Sequence, residues 1–89
     1  MLQVTPAASE YLRTARDERG IDSSAGARFV RNSAGIGLTF APAPALGDQV
    51  LSGTQIPVYV PEDLAVPLAN SIIDVRREDG GSKLVLRPQ

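Results

Sequence analysis

Nine residues, Asn32-Ser33-Ala34-Gly35-Ile36-Gly37-Leu38-Thr39-Phe40, constrain this chain more than any others. Ile36, Leu38 and Phe40 recur at a period of two, the side-chain period of a strand and not of a helix. Gly35 and Gly37 take the alternate positions, so one face of that strand is apolar and the other almost bare. The apolar face predicts contact with a core. The bare face either lets another chain or a ligand approach the backbone closely or permits a bend. Asn32 and Ser33 supply turn chemistry, and Gly26-Ala27-Arg28-Phe29-Val30-Arg31 before them reads as a further strand. Two such runs this close predict a hairpin.

The rest of the chain is punctuated as clearly. A short extended start, Leu2 to Val4, leads to Thr5 as a helix N-cap and Pro6 at the first helical position. Ala8, Tyr11, Leu12 and Ala15 then form one apolar stripe, and Gly20 follows where a helix should stop, which predicts a helix over about 6–19. Glu10, Arg13, Arg16, Asp17 and Arg19 fall on the opposite face. Its three arginines suit a partner-docking stripe or, the preferred reading, a solvated face. The segment 41–47 is a proline-broken connection. Strands are expected at 49–51 and 55–60 around the turn Ser52-Gly53-Thr54, with Pro57 marking an edge or a bulge. A short helix, distorted by Pro67, is expected over about 62–69. Two alternating strands, 72–77 and 82–87, close the chain around Glu78-Asp79-Gly80-Gly81.

Eighty-nine residues predict one domain spanning 1–89. With 43% apolar residues and four aromatic ones, the core must come mainly from Val, Leu, Ile and Ala. The charge balance, nine Lys and Arg against ten Asp and Glu, argues against nucleic acid and against electrostatic docking to a membrane. No apolar run suits a bilayer span and no start resembles a signal peptide, so the expected location is cytoplasmic. Eight of the nine basic residues are arginine, and alanine and proline are abundant, which is compositionally associated with a bacterial genome rich in G and C. The chain has no cysteine and no histidine. That removes disulfides, the usual zinc sites, and every mechanism that needs an imidazole base.

The order β, α, four strands, short helix, two strands resembles the HesB/IscA-like family, the A-type carriers of iron–sulfur cluster biosynthesis. The resemblance runs nearly the whole length. Leu2-Gln3-Val4-Thr5-Pro6-Ala7-Ala8 looks like the family's start, and Gly26 to Arg31 resembles its G-L-R-hydrophobic strand. Gly37, Leu38 and Phe40 fit the last positions of its G-C-S-G-hydrophobic-x-aromatic pattern. Asp48 and Val50 match its D-x-V, and Val58 to Val60 its V-x-V strand. The resemblance implies an α+β, β-rich fold of twisted antiparallel sheets, a pseudo-barrel or sandwich, with an N-terminal helix and a second short helix. It also places the family's first cluster-ligating cysteine on Gly35, and the C-terminal C-G-C pair past Gln89. Clusters need thiolate or, less often, imidazole ligands, so the family's ligand roles carry over to no residue here.

The expectation is therefore a non-catalytic HesB-like domain without cofactor or metal, working through a protein partner or through self-association, with a homo-oligomer as one form. The alternative is participation in iron or cluster handling through carboxylates, with Asp48, Glu62, Asp63, Asp74 or Glu78 as candidates, or through a partner's ligands. An enzyme would need converging carboxylates, or Ser33 activated by the sole lysine, Lys83.

Overall fold

The N-terminal helix is fixed at both ends by side chains named above. In the structure, a computed structural model that describes residues 2–33, 35–51 and 54–89, α1 runs Pro6–Glu18 with Thr5 as N-cap and Arg19 as C-cap. The Thr5 hydroxyl accepts the Ala8 N–H at 3.1 Å and itself donates to Asp74 Oδ1 at 2.9 Å. The cap thus ties the helix to a strand 69 residues further on.

Strands β1 (Gln3–Val4), β2 (Gly26–Asn32), β3 (Gly35–Ala41), β4 (Gln49–Leu51), β5 (Val58–Val60), β6 (Ser71–Glu78) and β7 (Gly81–Pro88) form two sheets. One has the order β1-β6-β7, the other β3-β2-β5-β4. The hairpins β2–β3, β4–β5 and β6–β7 are antiparallel, as expected. Each sheet also holds one parallel pair, β1 with β6 and β2 with β5, so the sheets are mixed where wholly antiparallel ones were expected. Both parallel pairs join strands separated by a long crossover, which local turn chemistry does not announce.

Strand β5 begins at Val58, later than its expected start, and the backbone before it bonds to α1 as well as to β2. Gln55 N–H donates to Ser9 Oγ at 2.6 Å and the Pro57 carbonyl accepts from Ala27 N–H at 2.8 Å. Of the expected turn at 52–54, Ser52 and Gly53 lie outside the described residues, as does Ala34 of the central stretch. The second helix, α2, covers Glu62–Ala65 and ends immediately before the pair Val66–Pro67. Pro67 lacks the N–H that a further helical bond needs.

Two apolar clusters fill the space between the layers. Phe29, Val58, Leu64, Leu68 and Ile73 anchor the larger, and Leu12, Ala27 and Ile56 the smaller. Leu38 and Leu84, both half-buried, pack against each cluster. Among the described residues no helix is long and apolar enough to cross a membrane.

Candidate functional site

Strands β3 and β7 end the two sheets and face each other across a groove of about 290 Å³. Ile36, Gly37 and Leu38 line one wall and Leu84, Val85 and Leu86 the other, with Phe29 and Ile73 beneath. The register of the β2–β3 hairpin explains the wall. Phe29 lies opposite Leu38 and Arg31 opposite Ile36, which puts Leu38 on the core side, as expected. Ile36, expected to face the core with it, is instead 40% exposed at the wall of the groove. Gly35, where the sequence resemblance placed a cysteine of the HesB/IscA-like family, sits at the end of β3 with φ +124° and nothing within 4 Å of where a Cβ would be.

The carboxylates proposed from sequence do not come together. Asp48 is committed to Arg28, whose Nε donates to Oδ2 at 3.0 Å and whose Nη2 donates to Oδ1 at 3.2 Å. Ala45 N–H adds a third bond to Oδ2 at 2.8 Å. The Arg28 guanidinium, helped by that N–H, holds the Asp48 carboxyl below the usual carboxylate range, and Asp48 in turn raises the pKa of Arg28. Asp74 accepts from Val75 N–H, the Thr5 hydroxyl and Arg87, with the backbone bond the main cause of its lowered pKa. Glu62 and Asp63 occupy the first turn of α2, where negative charge suits the helix N-terminus. Glu78 ends β6 opposite Gly81. Among the described residues no three Asp, Glu, His or Cys side chains are placed to hold a metal ion.

A 2Fe–2S cluster does not fit this donor set. The groove offers the backbone of Gly37, the sequence has no thiolate or imidazole, and Asp48 and Asp74 each already accept three hydrogen bonds. Ser33 lies in the β2–β3 turn and Lys83 on β7, and no hydrogen bond joins them among the described residues.

The arginine stripe on α1 also differs from its expected form. Arg16 is buried, 6% exposed, and its Nη1 donates to the Ala25 carbonyl at 3.0 Å. Arg13 donates to Gln55 and pairs with Asp17 at 3.5 Å, and the Arg19 guanidinium lies 5.8 Å from the centre of the Phe40 ring. Each arginine is thus engaged by its own chain. A wider, open cleft of about 600 Å³ separates α1 from β6 and β7, lined in part by Glu10, Tyr11, Glu18 and Arg77.

Neither a family model nor a curated protein matches the sequence. Solved structures do. Escherichia coli SufA, involved in the biosynthesis of iron–sulfur clusters, matches over 98% of this chain and 84% of its own, at 21% identity with a TM-score of 0.78. IscA with its 2Fe–2S cluster matches over 99% of this chain and 85% of its own, at 16% identity with a TM-score of 0.76. The chain has the fold of these two proteins, as the sequence resemblance implied.

Proposed function

We propose that this chain, folded like SufA and IscA, is a HesB/IscA-like accessory domain of iron–sulfur cluster biosynthesis that acts in the cytoplasm through protein contacts, including self-association, and carries no cluster of its own. One observation carries the reading: the fold is that of two cluster-related proteins, while the position of the family's first ligand is a glycine. At φ +124° that backbone favours glycine, so the position has no conformation held ready for a cysteine. The role is non-catalytic, supported by the separation of Ser33, Lys83 and the carboxylates described above.

Iron handling through carboxylates is the weaker reading, because Asp48 and Asp74 would each have to give up hydrogen bonds to bind a metal. Anaerobic incubation with iron and sulfide, followed by gel filtration, tests the cluster-free state. The expected result is protein without bound iron, for the natural chain and for Gly35→Cys alike. Stoichiometric iron that is lost in Asp48→Ala would overturn it. Affinity capture from the native cell tests the role: cluster-assembly proteins should be enriched, and an unrelated set would mean that only the fold is shared.

A further inference from the structure

Four strands end the two sheets, and three of them are guarded. An edge strand offers unpaired N–H and C=O groups to any other chain, and proteins protect such edges by shortness, by charge or by proline. Strand β1 has two residues and β4 three. Strand β7 has eight but carries Lys83 and Arg87 and ends on Pro88. Strand β3, Gly35–Ala41, has seven residues with neither a charge nor a proline. It is the long edge without a guard.

That edge opens onto the groove. Each wall is made of consecutive residues, which point to opposite faces of their sheet, so the walls are strand edges and not sheet faces. Nearly all Cα separations between β3 and β7 exceed 8 Å. Hydrogen-bonded strands lie about 4.7–4.9 Å apart, so the two edges stand more than one strand spacing from each other.

We propose that the free edge of β3 docks an extended segment of a partner protein, with apolar side chains at alternate positions and acidic residues at its ends. This rests on the reading that the chain acts through protein contacts, and it names the surface and the kind of partner. The segment adds to β3 as a further strand of the four-stranded sheet. Its inward side chains meet Ile36 and Leu38 on one side and Leu84 and Leu86 on the other, covering Ile36 and Leu86, which are 40% and 45% exposed. On the outward face Gly35 leaves open space, and at Gly37 the neighbours are Asn32 and Val30 of β2.

Charge selects the ends. No acidic residue lines the groove, while Arg31 stands opposite Ile36 and Lys83 and Arg87 lie along β7. Lys83 faces Arg76 across the β6–β7 ladder and forms no ion pair among the described residues. The nearest carboxylate to Arg31, on Asp63, is 3.9 Å away with both side chains more than half exposed. Arg31 and Lys83 are available to an acidic flank, while Arg87 is held by Asp74.

A second copy of the chain suits the site less well. A two-fold contact through β3 would also set the two β7 edges side by side, bringing Lys83 and Arg87 of one copy toward those of the other.

The test uses the full chain and a short synthetic peptide of alternating valine and threonine, capped at each end by aspartates. Binding is followed by fluorescence anisotropy, and its location by amide hydrogen exchange. The peptide should slow exchange within residues 36–40 and bind more tightly than its lysine-capped counterpart, with the difference shrinking as salt is raised. Ile36→Lys should weaken binding by about tenfold or more, Leu86→Ser on the opposite wall should also weaken it, and Val50→Lys on the far edge of the same sheet should not. Binding without protection of β3, or equal loss in Val50→Lys, would overturn the proposal. So would protection of β3 that grows with protein concentration and a doubled mass in sedimentation, which would assign the edge to a second copy. If Ile36→Lys still captures cluster-assembly proteins, the surface is wrong and the accessory role stands. If the peptide binds β3 but no cluster-assembly protein is captured, the surface stands and the role falls.

Discussion

Gly26 has an ordinary backbone, so its reason for being glycine is space. A Cβ there would sit 2.7 Å from the Pro57 carbonyl oxygen and 2.7 Å from Cε2 of the buried Tyr59 ring. The carbonyl cannot give way without stretching its bond from Ala27 N–H. Gly26→Ala should therefore cost about 1–3 kcal/mol, typical of overpacking, seen as a lower urea midpoint at unchanged slope. Asp48 makes a second prediction, in pH. Its carboxyl and that of Asp74 are held below their ordinary value, near about 3.9 for a free side chain. On acidification the unfolded chain takes up these protons first. The stability from the bonds of Asp48 to Arg28, and of Asp74 to Val75 N–H and Thr5, is thus complete above about pH 4 and lost as pH falls through the lower, folded pKa values. Urea unfolding at neutral and acid pH should show Asp48→Asn less stable than the natural chain at neutrality, with a smaller loss between the two conditions.

At the scale of elements, α1 depends on a cap that does two jobs. Thr5→Ala removes the acceptor for Ala8 N–H and should cost about 1 kcal/mol in thermal or urea unfolding, while Thr5→Ser, which keeps the hydroxyl, should cost much less. That cap was legible in Thr5-Pro6, as were the order of the elements and most of their bounds, because caps, period-two alternation and glycine turns are local signals. What was not legible is tertiary. Arg16 falls on the polar face of the helix by spacing, yet it is buried because the Ala25 carbonyl in the following loop needs a donor. The two parallel pairings and the halt of α2 before Pro67 are settled by partners far along the chain or by one missing N–H. For the candidate site, the resemblance pointed to Gly35, and the carboxylates were read from the sequence itself. It could not show Asp48 saturated by Arg28, nor the groove, whose walls come from strands in different sheets.

At the scale of the molecule, Leu38 and Leu84 stand where the two apolar clusters meet. Leu38→Ala should lower stability by about 1–3 kcal/mol, less than a wholly buried leucine would, and calorimetry should still show a single transition, because both clusters lose a contact at once. Leu38→Asp, which puts a charge at that junction, should abolish the cooperative transition. The tie between Thr5 and Asp74, together with the pairing of β1 on β6, has a consequence for how the protein is made. The first strand and the first helix leave the ribosome long before their partner exists. The strand that pairs with β1 and holds Asp74 is made only after both helices and the first five strands. Until residue 74 emerges, β1 has no strand to pair with and the Thr5 hydroxyl has no carboxylate to bond, so the start of the chain stays open to chaperones and proteases, and it is the late strand that shuts the door on them.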